Sequence, residues 1–185
     1  GHLWEQFELP MFLRRRGRPL LLSLVNTGPI HYTSQIVVVH DLAFLRNPAW
    51  FSRSAALWFK FLVPRVIRTS KVVVTDSAFT KKEVVELLRF PDNKIHVVYP
   101  GVADTFRAHR HVRQENAAGA FVLTVSTMDP RKNLLRLIEA FKMMNRQGAR
   151  LVIVGGNNPL VFGQSQVREA YQNDPSVQFL GYVTD

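Results

Sequence analysis

The 185 residues include no cysteine, which removes disulfide frameworks, thiolate zinc sites and cysteine nucleophiles and fits a reducing compartment. No run of about 18 uncharged apolar residues is present, so a membrane-spanning helix is not expected. The first residues lack the basic, apolar and small-residue order of a signal peptide, so export is not expected either and the cytoplasm is the default. Three ligand-binding patterns are also missing: an Asp-x-Asp pair that would hold a divalent metal, a Walker loop and a Gly-x-Gly-x-x-Gly turn.

What is there is a chain 46% hydrophobic, enough to bury the core of one ordinary domain or two small ones, which excludes disorder. The net charge is +10, and residues 1–118 hold 17 Lys/Arg against 9 Asp/Glu, while residues 119–185 hold 7 against 5. Such a bias favours anionic partners, whether nucleotide diphosphates, anionic lipid surfaces or nucleic acid, and does not choose among them.

Short β-branched runs recur, each followed by a loop and then by helical spacing, the rhythm of a parallel α/β sheet. They are Leu20 to Val25, Gln35 to Val39, Lys71 to Thr75, Lys94 to Val98, Phe121 to Val125, Arg150 to Val154 and Val177 to Leu180, and their apolar continuity predicts burial on both faces. Trp50 to Arg68 reads as a helix with Phe51, Ala55, Trp58 and Leu62 on one face and Pro64 placed to kink or split it. The next helix is predicted to open with a capping box from Thr80 to Glu83 and to end before Pro91. Residues 105–118 are polar and basic and read as a linker between a first unit, 1–104, and a second, 119–185. His109 and His111 flank Arg110 within it, and no metal site is expected there or elsewhere. In the second unit Leu134, Leu137, Ile138 and Phe141 share a helical face, with Asn133 as the predicted N-cap and Gly148 as the closing residue.

The strand Phe121 to Val125 passes through Ser126-Thr127-Met128-Asp129 into Pro130-Arg131-Lys132-Asn133 and then the amphipathic helix. In an open parallel sheet, ligands bind beyond the carboxyl ends of strands, where helix N-termini present free N–H groups. Cations at a helix N-terminus oppose the macrodipole at a cost of about 0.3–1 kcal/mol each, which a charge-assisted phosphate contact of about 1.5–3 kcal/mol outweighs. From spacing alone the turn reads either as an anion site or as solvated loop charge, with Asp129 neutralising one cation. His40 ends the strand Gln35 to Val39 and occupies the cleft position of the first unit, or else caps nearby backbone. Asp41 reads as orienting His40 or capping a turn, and Ser77, Thr80 and Lys81 read first as helix-start residues. The run Arg14-Arg15-Arg16-Gly17-Arg18 reads as a solvated loop or as a contact for anionic lipid head groups. The aromatics Trp50, Phe51, Trp58, Phe59 and Phe61 read as core, or as interfacial.

Three ordered blocks, Val125 to Phe141, Leu151-Val-Ile-Val-Gly-Gly156 and Phe179-Leu-Gly-Tyr-Val-Thr-Asp185, together resemble the nucleotide-binding domain of retaining glycosyltransferase family 4, group 1, a GT-B family. The resemblance extends upstream through Leu3-Trp4-Glu5-Gln6 with Leu9-Pro10, Asn26-Thr27-Gly28-Pro29, Val39-His40-Asp41-Leu42 and Thr75-Asp76-Ser77-Ala78-Phe79-Thr80-Lys81. It implies an α/β fold of two Rossmann-like parallel-sheet units facing across a cleft, acceptor side first and nucleotide-sugar side second, both incomplete. It also implies that Lys132 contacts the donor diphosphate, with Arg131 beside it, and that Gly155 and Gly156 border the nucleotide. Backbone near Tyr182 and Val183 would face the base, and His40 would approach the donor sugar. Many members carry a second basic clamp at the position of Thr127, and here that position holds a hydroxyl. The family's glycine-rich loop and its Glu-x7-Glu element have no counterpart, so the chain alone is expected to be inactive.

The resemblance therefore implies a hexosyltransferase that moves a sugar, mannose first, from a nucleotide-diphosphate donor to a glycan or lipid-linked acceptor with retention, in bacterial surface polysaccharide synthesis such as that of lipopolysaccharide. GDP-mannose is the first donor and a UDP-sugar the second. No metal or other cofactor is expected, and the expected location is the cytoplasm or the inner face of the membrane. One rival is a non-catalytic nucleotide-binding module. The other, a basic nucleic-acid-binding protein, rests on charge alone and would need exposed aromatics on a basic face.

Overall fold

A computed structural model of the chain describes residues 3–104, 120–144, 148–156, 158, 160–161 and 167–183. The predicted linker at 105–118, with His109, Arg110 and His111, lies outside them, as do Thr184 and Asp185. The chain divides into two compact units, Gly1–Pro48 with Ala56–Arg107, and Ala49–Ala55 with Ala108–Asp185.

The first unit opens with a π-helical turn, Trp4–Glu8, that runs into α1 (Leu9–Arg15). Four parallel strands follow, β1 (Leu21–Ser23), β2 (Gln35–Val39), β3 (Val72–Thr75) and β4 (Ile95–Val97), adjacent in chain order. Leu22 pairs with Ile36, Val37 with Val73 and Val74 with His96. Between β2 and β4 run α2 (Ala43–Arg46), α3 (Arg53–Thr69) and α4 (Ala78–Leu88). The side chains of Val37, Val39, Leu62, Val66, Ile67 and Val73 are wholly excluded from water, which places the core between β2, β3 and α3. The second unit repeats the plan with β5 (Phe121–Val125), β6 (Arg150–Val154) and β7 (Val177–Gly181), again parallel and in chain order, with α5 (Leu134–Met143) and α6 (Val167–Tyr171). Its core gathers Met128, Leu134, Ile138, Phe141, Leu151, Ile153 and Val177.

All seven expected strands form, with ends within about two residues of the apolar runs, but the expected burial on both faces is not general: in β2 and β3 buried and half-buried residues alternate, and only β6 buries neighbouring residues, Ile153 and Val154. Leu22 and Leu24 in and after β1, and Leu123 and Val125 in β5, are more than half exposed. Each of these strands is an edge with a single neighbour, and α5 packs on Leu151 and Ile153 rather than over β5. Continuous apolar sequence marks strands covered on both faces only when helices lie on both sides.

The helices bring four further corrections. Pro64 does not split α3, which runs unbroken through it; the about 3 kcal/mol a mid-helix proline costs is less than what Leu62, Val63, Val66 and Ile67 gain around it, at about 1.5–3 kcal/mol each. The buried face of α3 also begins at Ala56, because Phe51 precedes the helix and Ala55 and Trp58 are only half-buried. The cap of α4 is Ser77, whose Oγ accepts from the Thr80 N–H at 3.1 Å, so no Thr80–Glu83 box forms; the helix does end before Pro91. Asn133 is the N-cap residue of α5 as expected, its carbonyl accepting from the Leu137 N–H at 3.2 Å, but it is left-handed (φ 52°) and its side chain makes no cap bond; the helix ends at Met143, short of the expected Gly148. No helix among the described residues is long and apolar enough to cross a membrane.

Candidate functional site

In the second unit the turn after β5 is organised by an acid. Asp129 is 3% exposed. Its Oδ1 accepts from the Arg131 backbone N–H at 3.0 Å and from Arg131 Nε at 3.2 Å, and its Oδ2 accepts from the Thr127 hydroxyl at 2.6 Å. Burial alone would push the carboxyl up, but the hydrogen bonds from Thr127 and Arg131, with the guanidinium charge, outweigh it and hold Asp129 below the ordinary carboxylate value. Asp129 thus neutralises Arg131, one of the two readings the spacing left open. The net charge of the turn falls to Lys132, whose exposed ammonium makes no hydrogen bond or ion pair among the described residues. The Thr127 proton is committed to Asp129 as well. Asp129 is also the N-cap of the short turn Pro130–Lys132, a role not read from the sequence although an acid just ahead of a proline at a strand-to-helix turn is a signal for it.

Beyond the carboxyl ends of β5, β6 and β7 lies an open pocket of about 550 Å³ lined by Val125, Ser126, Thr127, Val154, Gly155, Gly156, Tyr182 and Val183. Five of the residues named from the sequence therefore converge on one cavity, whereas Arg131 and Lys132 do not line it. Hydrogen bonds tie its three loops together: Ser126 N–H to Val154 O, Met128 N–H to Gly156 O, and Gly155 N–H to Gly181 O, all at 2.8–3.0 Å. Gly155 is required by space. Its φ is +135°, and a Cβ there would stand 2.0 Å from the Ser126 carbonyl oxygen. The buried Ser126 hydroxyl oxygen has no hydrogen-bond partner among the described residues.

In the first unit the upstream segments that carry the resemblance are hydrogen-bonded to each other. Gln6 donates to Gly28 O at 2.8 Å and accepts from the Ile30 N–H at 3.0 Å, and the Thr27 hydroxyl donates to Glu5 at 3.0 Å. Asn26 accepts from the His40 N–H at 2.8 Å and donates to Asp41 O at 3.0 Å. The Thr80 hydroxyl donates to His40 O at 2.9 Å. His40 follows β2 with its side chain about half exposed; Nε2 donates to Leu24 O at 2.9 Å and Nδ1 faces Asp76 Oδ2 at 3.3 Å. Asp41 instead accepts from the Ala43 N–H at 3.0 Å, so it caps a turn, and the acid beside His40 is Asp76. Glu83, nearly buried, accepts from Arg46 Nε at 2.8 Å.

The arginine run is helical rather than a loop at Arg14 and Arg15, and Arg16 sits 5.0 Å over the Phe12 ring. Of the aromatic set, Phe51 is buried, while Phe61 is about half exposed, stacked on Trp58 at 6.2 Å and covered by Arg65 at 3.8 Å.

Comparison with known proteins covers both units. Residues 105–185 match the model of glycosyl transferases group 1. O-antigen chain mannosyltransferase B of Escherichia coli is 19% identical over 160 residues, 81% of this chain and 42% of that protein. HepE of Anabaena, in a structure with UDP and glucose, superposes with a TM-score of 0.61 at 20% identity over 81% of this chain and 42% of its own. A glycosyltransferase of Rickettsia africae does so at 0.58 and 16% identity, over 96% and 50%. The chain thus spans about half the length of these relatives, with the α/β arrangement of the GT-B fold. Residues 11–106, just over half of the 185, match the model of Glycosyltransferase Family 4, and the chain belongs to that family.

Proposed function

We propose that this chain forms the adjoining parts of the acceptor-side domain (1–104) and the nucleotide-sugar domain (119–185) of a retaining hexosyltransferase. The observation that carries the reading is the convergence of Thr127, Gly155, Gly156, Tyr182 and Val183 on one pocket at the carboxyl ends of three parallel strands, the ligand position of an open α/β sheet. The turn leading from that pocket leaves Lys132 as its unneutralised cation.

Transfer from a sugar nucleotide makes the anomeric carbon cationic while the leaving diphosphate gains negative charge, so a fixed cation there stabilises the transition state more than the ground state. Lys132 takes that role. Thr127 and Arg131 act through Asp129, shaping the turn rather than adding a second charge. The nucleotide lies along Gly155 and Gly156, with its base at the backbone of Tyr182 and Val183. His40 serves the donor sugar, and its 3.3 Å approach to Asp76, looser than its bond to Leu24, is the one a sugar hydroxyl replaces. With no Asp-x-Asp in the sequence, the transfer is proposed to run without a metal.

The O-antigen chain mannosyltransferase relative supports mannose and a role in bacterial surface polysaccharide synthesis, and the UDP and glucose in the HepE structure support a UDP-sugar; the donor proposed first is GDP-mannose, the second a UDP-sugar, and the acceptor a glycan or a lipid-linked sugar. The proposed location is the cytoplasm, with peripheral contact at the inner membrane face. Because the chain covers 42% of that relative, turnover is proposed to require more chain than these residues. Product analysis of the full-length protein against a panel of sugar nucleotides tests the reading. Transfer with retained anomeric configuration is expected. Nucleotide binding without transfer would reduce the protein to a binding module, and neither binding nor transfer would end the proposal.

A further inference from the structure

The first unit holds a second polar cavity, of about 240 Å³, lined by Arg14, Arg18, His31, Tyr32, Thr33 and Ser34. It lies at the amino end of β2, whereas His40 lies at the carboxyl end, five strand residues or about 17 Å away. It is therefore separate from the position at which a sheet of this kind receives its substrate.

We propose that this cavity is a site for a phosphate group. Two arginines, a histidine and three hydroxyl residues, Tyr32, Thr33 and Ser34, line it, and among the described residues no acid does. The backbone is bent to assemble them: Gly17 and Arg18 are both left-handed, at φ 82° and 58°, and the Arg18 N–H bonds back to Leu13 O at 3.0 Å. A left-handed arginine is uncommon, and here it turns the chain so that Arg18 joins Arg14 on the same cavity. Arg14 is held in place by donating from Nη2 to His31 O at 2.6 Å, which presets its planar fork for an oxyanion. Tyr32, buried, donates its hydroxyl to Pro19 O and fastens the segment on either side. Two arginines converging without an acid repel each other until an anion enters, and Thr33 and Ser34 add neutral donors for its oxygens.

The phosphate comes either from a lipid head group or from a soluble phosphate. The helical segment that supplies Arg14 also exposes Leu3, Phe7 and Met11 at four-residue spacing, which suits a lipid surface. The experiment separates the sources: calorimetry with inorganic phosphate, and sedimentation with vesicles of equal parts phosphatidylglycerol and phosphatidylcholine or of phosphatidylcholine alone. Binding to phosphate in solution assigns a soluble ligand, and binding only to the phosphatidylglycerol vesicles assigns a head group; either supports the site. Arg14→Gln with Arg18→Gln should weaken that binding roughly fivefold per arginine with an unchanged circular dichroism spectrum, and Arg18→Gln alone should give half of the effect on a logarithmic scale. Lys60→Gln with Arg68→Gln removes the same charge elsewhere on the unit. An equal loss in that control, or no binding to either source, overturns the proposal. Nucleotide binding by the second unit is a separate readout, so failure here leaves the donor site untouched.

Discussion

The side-chain amide of Asn26 grips the backbone on both sides of the His40 carbonyl, accepting from the His40 N–H at 2.8 Å and donating to the Asp41 carbonyl at 3.0 Å. The loop after β1 and the end of β2 are thereby locked in one register, and the imidazole is fixed with Nε2 toward Leu24. Asn26→Ala should destabilise the first unit by about 1–3 kcal/mol, the cost of stranding both partners, measured by urea denaturation. Asn26→Asp keeps the acceptor and loses the donor, so it should recover part of that loss. Equal midpoints for Ala and wild type would show that water replaces the amide.

Gly155→Ala is a steric test of the pocket. The added methyl would meet the Ser126 carbonyl oxygen at 2.0 Å, in a backbone conformation that L residues rarely adopt. Relief must come from parting the loops after β5 and β6, which are joined by Ser126 N–H to Val154 O and Met128 N–H to Gly156 O. Strain of about 1–3 kcal/mol should lower the melting temperature and abolish nucleotide binding together. Gly156→Ala, where a methyl meets nothing within 4 Å, should leave stability nearly unchanged. A tolerant Gly155→Ala would mean that the loop after β6 adopts another path.

The acid limb of stability should carry the signature of Asp129. Unfolded, its carboxyl titrates near 3.8, and folded it titrates lower. Its contribution is therefore complete above about pH 4 and is lost as pH falls through the folded value. Asp129→Asn should cost about 1–3 kcal/mol at neutral pH and should flatten the decline below pH 4. Asp174, held at about 2 by the Lys142 ammonium and by Ser176, still titrates in that variant, so some acid sensitivity remains. A decline with unchanged slope would assign the acid limb to other carboxylates.

Much of the fold is written locally. The β-branched runs located every strand among the described residues, because parallel pairing asks only for apolar residues of the right shape at the right length. Capping was harder to read: Ser77 and Thr80 both begin a plausible S/T-x-x pattern, and what decides between them is that β3 stops at Thr75 and leaves Ser77 extended (φ −152°). The residues that line the pocket were legible by position, since Thr127, Gly155 and Tyr182 each follow a strand and the sheet brings strand ends together. Their partners were not. Asp76 meets His40 across 36 residues and Arg46 meets Glu83 across 37, pairings made by strand order and not by any local pattern. The direction of a single hydroxyl, Thr127 toward Asp129, decides whether that residue faces a ligand, and no spacing encodes it.

Lys132 carries the sharpest test of the donor reading. Asp129 neutralises Arg131 and orders the turn, so the remaining charge is one exposed ammonium with no partner among the described residues. A cation left there opposes the α5 macrodipole, and a diphosphate offsets that cost through a contact of about 1.5–3 kcal/mol. Lys132→Ala should therefore weaken nucleotide diphosphate binding by about 10- to 100-fold and lower turnover further, since charge on the leaving group grows toward the transition state. Stability should be unchanged or slightly raised, because no native contact is lost. Arg131→Ala should behave in the opposite way, lowering stability by unpairing buried Asp129 while affecting binding through the shape of the turn. If calorimetry found the two variants interchangeable in both respects, the division between a structural arginine and a ligand-facing lysine would fall.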